Sequence, residues 1–321
     1  MIIVTGAAGF IGRFVSLALL DRGEEVVGVD EFNAYYDPAL KEARVAALLE
    51  RPEFRMVRMD VAEPGAFAEL MAQTGARRVV HLAAQAGVRY SLDNPFAYEH
   101  ANVAGHLAVL EACRHTTGLE HLVYASSSSV YGERAADGPF REDDPLAPPA
   151  SLYAATKQAC ELMSSAYGGL YGLAQTGLRF FTVYGPWGRP DMGYFIFTRK
   201  ILAGEPIEVF GQGRMARDFT YIDDIVDGIV GALDRPSGAG ENRILNIGDS
   251  RPIGLLKMIE ILEAALGVKA TQMLKPVQPG DVTATYADIS RLAALTGYQP
   301  KVKLEEGLGR FVDWYRSYYR A

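Results

Sequence analysis

A doubly wound α/β fold, with a parallel sheet of about seven strands and a smaller α/β lobe, is what this chain predicts. Two observations carry that expectation. Short β-branched runs alternate with helical stretches through the first half, and the first run ends in a glycine-rich turn that opens a helix. Apolar residues fill 49% of 321 positions, enough to build a core of that size without disulfides.

The runs predict strands near 1–5, 25–29, 54–59, 78–82, 121–126, 174–181 and 243–247. Most read as near-continuous apolar segments, the pattern of parallel strands covered on both faces. Between them, Ala101 to Arg114 and Ser151 to Tyr171 repeat apolar residues at helical spacing, and Ser151 is placed as an N-cap after the Pro-rich loop Asp137 to Pro149. Right-handed crossovers then join these units into one sheet. Past about residue 182 the alternation weakens, and helices near 194–203, 254–267 and 304–319 lack regular strand partners. Because Arg243 to Ile247 still reads as sheet, the boundary is interleaved. The first domain takes 1–181 plus about 214–247, and the lobe takes about 182–213 plus 248–321.

Composition excludes several partners. Cys113 and Cys160 are the only cysteines and lack metal-type spacing, which predicts core thiols, no metal site and a reducing, cytoplasmic setting. Met1 runs directly into Ile2-Ile3-Val4 with no basic region or cleavage site, so no signal peptide is expected. Thirty-two basic against 39 acidic residues leave a net charge of −7, which argues against nucleic acid or an anionic membrane as partner. Any anionic small molecule must therefore be met by local arginines.

Gly6-Ala7-Ala8-Gly9-Phe10-Ile11-Gly12 follows the first strand at once. Positions without side chains allow a tight turn and close approach of backbone to a pyrophosphate, which then lies in the positive field of the helix N-terminus. Asp30 closes the second strand, where a carboxylate accepts hydrogen bonds from both ribose hydroxyls and repels a 2′-phosphate. With Glu31 beside it and no arginine there, NAD is favoured over NADP. A Rossmann-type domain is the reading these positions support.

Tyr153 and Lys157 stand four apart on the helix that Ser151 opens, so they share a face. A phenol of pKa about 10 is a poor base at neutral pH. An ammonium one turn away and a positive nicotinamide ring both favour the phenolate. Alone, such a pair is more often surface packing; downstream of the glycine turn it becomes a catalytic candidate. Ser126-Ser127-Ser128-Ser129 ends the fifth strand, the sheet edge at which ligands bind in open α/β folds.

Gly6-x-x-Gly9-x-x-Gly12, Asp30, Asp60-Val61, His81-Leu82-Ala83-Ala84-Gln85, Asn102 and Tyr153-x-x-x-Lys157 together resemble the extended short-chain dehydrogenase/reductase family over nearly the whole chain. The resemblance implies that Phe10, Ile11 and Asn33 join the cofactor set, that Asp60 and Val61 meet adenine, that Leu82, Ala83, Ala84 and Gln85 lie along NAD, and that Asn102, also of the cofactor set, lies in the helix beside the site. It implies further that Ser127, Tyr153 and Lys157 remove a carbinol proton, and that the chain pairs as a homodimer through helices near 94–114 and 151–171. Family members that dehydrate their sugars have an Asp-Glu pair where this chain has Ser128 and Ser129, and those that decarboxylate UDP-glucuronate have a Glu at Ser129.

Within that family, Phe180 to Met192, His81 to Ser91, Asp30 to Arg44 and Gln278 to Val282 are similar to the UDP-glucuronate 4-epimerases, except that Glu31 stands where an Asn is usual. The resemblance implies interconversion of UDP-glucuronate and UDP-galacturonate. It assigns the diphosphate to Arg217, the sugar carboxylate to Thr182, Arg189 and Ser127 to Ser129, and further contacts to Arg89 and Asp281. A neutral UDP-hexose 4-epimerase and a UDP-glucuronate decarboxylase stay open as alternatives, with a non-catalytic NAD sensor more remote.

Overall fold

Seven strands, Ile2–Thr5, Val26–Asp30, Phe54–Arg58, Arg78–His81, His121–Ser127, Gln175–Phe180 and Asn242–Ile247, lie within one residue of the expected ends. A computed structural model describes residues 1–133, 138–277 and 284–320 of the protein. Taken in chain order, the strands stand 7-6-5-4-1-2-3 across one sheet, and every neighbouring pair is parallel. The first strand therefore lies where the winding reverses, and a crevice opens at its carboxyl end. Ile2, Ile3 and Val4 are wholly buried there, as are Val79, Val80, Leu122 and Val123 on the strands beyond, which explains the continuous apolar runs.

Helices cover both faces. Phe10–Asp21 packs with Ile222–Leu233 on one side, and Ala66–Thr74 with Gly105–His115 on the other. The chain before Gly105 differs from the regular helix expected from Ala101: Glu99–Ala104 is π-helical. A π turn widens the coil and disturbs the usual carbonyl pairing. Cys160 Sγ donates to the Asn102 carbonyl from 3.2 Å, and both Cys113 and Cys160 are buried free thiols.

The lobe is built on Ala216–Tyr221, which pairs in parallel with Thr182–Tyr184 and Ala284–Thr285 and antiparallel with Pro252–Gly254. A second small sheet pairs Ile207–Val209 with Gln272–Leu274. Helices Gly193–Leu202, Leu255–Leu266 and Leu304–Tyr319 pack around Phe195, Phe311 and Tyr315. The sequence puts the chain's return to the first domain near 214; the pairing of Ala216–Tyr221 assigns that strand to the lobe, and the following helix, Ile222–Leu233, packs on the main sheet. Among the described residues no helix is long and apolar enough to cross a membrane.

Candidate active site

The glycine turn is a cradle fixed by its own backbone. Gly6 has φ +71°, and a Cβ there would lie 2.8 Å from the Ala83 nitrogen. A Cβ on Gly9 would stand 2.8 Å from the Gly6 carbonyl oxygen, and one on Gly12 only 2.0 Å from the same atom. That oxygen accepts the Gly9 N–H at 2.9 Å. The turn thus leaves backbone amides at the mouth of the helix Phe10–Asp21 with no side chain over them, which fits a dinucleotide pyrophosphate.

Asp30 closes the second strand beside this turn. Its Oδ2 accepts the Ala8 N–H at 3.1 Å and its Oδ1 the Phe32 N–H at 2.9 Å, which aims the carboxylate and leaves each oxygen a further acceptor site. Lys41, from the helix Pro38–Leu49, brings its ammonium to 4.0 Å from Asp30 and donates to Asn33 Oδ1 at 2.8 Å. Burial pulls the Lys41 ammonium below its ordinary pKa. Phe10, Ile11, Asp60, Val61, Leu82, Ala83, Ala84 and Gln85 complete the walls of this first cleft. Asp60 Oδ1 accepts the Ala62 N–H at 2.9 Å, while Oδ2 pairs with His100 Nε2 at 2.6 Å.

Asn102 lies in the π-helical turn beside the first cleft. It sits behind the cleft wall, where Oδ1 accepts the Gln85 N–H at 2.8 Å and Nδ2 donates to the Gln85 carbonyl and to Thr156 Oγ1. The π turn brings it there, so it braces the Ala83-Ala84-Gln85 wall against the helix Leu152–Tyr171. Ser151 caps that helix by accepting the Ala154 N–H at 3.1 Å, as expected.

The serine run alternates direction because it leaves a strand. Ser126 Oγ turns inward to Glu161, which holds Arg179 in a buried bidentate pair, whereas Ser127 opens to the cleft and accepts from Ser129 Oγ at 2.9 Å. Lys157 is buried and donates to the Ala125 carbonyl at 2.8 Å. Behind it His81 and His106 stack at 5.4 Å; burial, seconded by the Lys157 charge, holds His106 down at about 3. Two neutral imidazoles therefore back the buried Lys157 ammonium. Tyr153 projects from the same helix and meets the Tyr98 ring edge-on at 6.0 Å.

A second cleft adjoins the first, lined by Arg89, Ser127, Ser128, Ser129, Thr182, Arg189 and Arg217. Ser127, Tyr153 and Arg189 face both clefts and so mark their junction. Arg89 lies over the Phe210 ring at 5.1 Å, and Arg217 Nη1 donates to the Ala216 carbonyl at 2.9 Å. Arg189 is not a lone cation: Nε and Nη2 clasp both oxygens of Asp191 at 3.0 and 2.7 Å, and Tyr35 donates to the same carboxylate at 3.1 Å. Burial opposes the guanidinium charge, but Asp191 outweighs it and raises the pKa of Arg189 above its ordinary value. Neither bond from Arg189 to Asp191 uses Nη1. Asp281, expected at the substrate, lies outside the described residues.

The structure adds Tyr35, Lys41, Tyr98 and Arg44 to the residues the sequence singled out. Tyr35 and Lys41 line the clefts themselves, whereas Tyr98 and Arg44 stand behind them, Tyr98 donating to the carbonyls of Ala86, on the first cleft, and Gly87, on the second. Among the described residues no group of three or more His, Cys, Asp or Glu side chains could hold a metal ion.

The NAD dependent epimerase/dehydratase family matches residues 2–248. UDP-glucuronate 4-epimerase 1 of Arabidopsis thaliana is 50% identical over 99% of this chain and 77% of its own length. The crystal structure of UDP-glucuronic acid 4-epimerase from Bacillus cereus, in complex with UDP-glucuronic acid and NAD, superposes with a TM-score of 0.93 at 36% identity and covers 99% of both chains. That of UDP-glucose 4-epimerase from Thermotoga maritima, with UDP-glucose, superposes at 0.89 with 29% identity, again over 99% of both.

Proposed function

The chain belongs to the NAD dependent epimerase/dehydratase family, and from that premise we propose that it is an isomerase that inverts C4 of UDP-glucuronate to give UDP-galacturonate through a 4-keto intermediate. One observation carries the reading: Ser127, Tyr153 and Arg189 meet on the boundary shared by a dinucleotide-shaped cleft and a cation-bearing one.

In this reading Gly6, Gly9 and Gly12 admit the pyrophosphate of NAD, Asp30 and Asn33 hold the adenosine ribose, and Asp60 meets the adenine. The chemistry NAD supplies when bound is reversible hydride acceptance at C4 of the sugar with return to the opposite face, so the cycle has no net redox change. Tyr153 takes the 4-hydroxyl proton as general base and gives it back after the keto sugar has turned over. The buried Lys157 ammonium favours the phenolate, and Ser127 hydrogen-bonds the reacting oxygen. Arg217 and Arg89 meet the diphosphate side, where guanidinium forks suit phosphate oxygens.

The intermediate is a β-keto acid. Loss of CO2 competes whenever the bond to the carboxylate stands perpendicular to the ketone plane and can feed its π system. Thr182, Arg189 and Ser127 to Ser129 hold the group out of that geometry by preorganised hydrogen bonds. Asp281 completes the set on resemblance alone.

A second reading, a neutral UDP-hexose 4-epimerase, draws on the Asp191 carboxylate that already occupies one edge of Arg189. Incubation with UDP-glucuronate, UDP-glucose and UDP-N-acetylglucosamine, followed by proton NMR of the anomeric signals, separates the two. Turnover of UDP-glucuronate to the galacto epimer is expected; turnover of the neutral sugars alone removes the proposal. Phe96, Leu162 and Leu170 are 81, 72 and 71% exposed along the helical segments near 94–114 and 151–171, which supports a homodimer through those segments. A monomer in sedimentation analysis at micromolar concentration removes that part.

A further inference from the structure

Arg44 lies in the helix Pro38–Leu49 with none of its surface exposed, and all five of its hydrogen bonds end on neutral oxygens. Nε and Nη2 donate to the Trp187 carbonyl at 3.0 and 2.7 Å, Nη2 also to the Gly188 carbonyl at 3.0 Å, and Nη1 to the Ala8 carbonyl at 3.3 Å and to the Tyr36 hydroxyl. A buried guanidinium whose bonds all go to neutral acceptors is an expensive way to stabilise a fold. What it obtains is geometry. One end of the fork grips the glycine turn at Ala8, and the other grips the two residues that immediately precede Arg189.

The gripped turn is strained and held from several sides. Trp187 has φ +63°, a conformation costly for a bulky side chain. Its ring lies 4.8 Å from the Arg13 guanidinium and 5.2 Å from the rings of both Trp314 and Tyr318. A Cβ on Gly188 would fall 1.9 Å from the Tyr194 hydroxyl. Strain of this kind persists only where the surroundings over-determine it, and it gathers at functional sites.

We propose that Arg44 is a positioning residue that ties the cofactor turn to the Trp187-Gly188 turn, so that the placement of Arg189 and with it recognition of the sugar carboxylate depend on a side chain that touches neither ligand. The inference rests on the UDP-glucuronate reading above. A lysine cannot replace the fork, because an ammonium is a point donor and the two turns must be held at once.

The test measures UDP and UDP-glucuronate affinities by calorimetry on NAD-saturated protein, for the wild type and for Arg44→Lys. UDP lacks the sugar acid and reports the nucleotide side alone. The substitution is expected to weaken UDP-glucuronate about tenfold more than UDP, on the order of one displaced hydrogen bond to a charged group. Equal losses for both ligands, alongside a lower melting temperature, would make Arg44 a merely structural residue and overturn the proposal. Should the lysine variant not fold, Arg44→Met buries no charge and is read against the same two outcomes. Failure of the underlying function is seen separately, in a wild type that binds UDP-glucuronate no better than UDP-glucose.

Discussion

On the glycine-turn side the cleft is walled largely by backbone, whereas on the Thr182 to Met192 side it is walled by charged side chains that hold one another. The Gly6, Gly9 and Gly12 positions are set by contacts of 2.0 to 2.8 Å that any side chain would violate, and Asp30 is aimed by two backbone N–H groups. Arg189, by contrast, owes its direction to Asp191, Tyr35 and a turn gripped from 143 residues away in the chain. The difference teaches which half tolerates change. Backbone geometry admits no graded response, while a clasped cation can be weakened, reoriented or given a competitor.

The largest effect is expected where the halves meet. Tyr153→Phe removes the only group proposed to accept the hydroxyl proton, and turnover should fall about 10⁴-fold, the upper range for a general base. NAD affinity, measured by fluorescence titration, should stay within about threefold. Retained turnover would place the base elsewhere and dissolve the junction as the organising feature. Next comes Gly12→Ala, whose methyl would fall 2.0 Å from the Gly6 oxygen. Backbone cannot yield as a side-chain tip can, so NAD affinity should drop at least about a hundredfold, with loss of thermal stability. An alanine variant that binds NAD normally would show the cradle to be adaptable and erase the contrast.

The two halves were also unequally legible. Strands buried on both faces write themselves as apolar runs, so all seven main-sheet strands and the glycine turn could be read directly. Tyr153, Lys157 and Ser127 were readable because a helix face and a strand end fix what they point at. Lys41 and Arg44 were not, since their partners Asn33, Ala8 and Trp187 lie on other elements and helix periodicity says only that both are inward. The π turn that carries Asn102 has no sequence mark either: its six residues would suit an α-helix equally well. Arg189 and Asp191 stand two apart in the sequence, yet a fork clasped by its neighbour and a fork open to solvent look alike until the turn is known.

The charged half should answer in degree. Arg189→Ala is expected to weaken UDP-glucuronate about 10- to 100-fold, the range for a hydrogen bond to a charged group. It also leaves the half-buried Asp191 without its cation, which adds repulsion of the sugar acid. With the carboxylate free to rotate, some 4-keto intermediate should lose CO2, and mass spectrometry should find a UDP-pentose product absent from the wild type. Unchanged kinetics with no such product would remove Arg189 from the carboxylate site. The clasp would then be a structural pair.

The smallest effect sharpens the contrast from the other direction, because charged pairs lie on the backbone-built side as well, and one of them titrates near neutral pH. His100 bonds the Asp60 carboxylate, and that bond, reinforced by the charges of Asp60, Glu31 and Glu99, raises its pKa above the ordinary value. A folded-state pKa above the unfolded one means that folding favours the protonated form. The stabilisation is thus complete below about pH 6.5, the unfolded value, and is lost as pH rises through the folded one. His100 is 52% exposed, so solvent screening keeps the contribution under about 1 kcal/mol. Melting curves of the wild type and His100→Gln, taken at intervals from pH 5.5 to 9, should separate at the acid end and converge at the alkaline end. A separation constant across that range would mean that His100 contributes packing and no charge, so that the Asp60 contact belongs with the fixed geometry of the cofactor side.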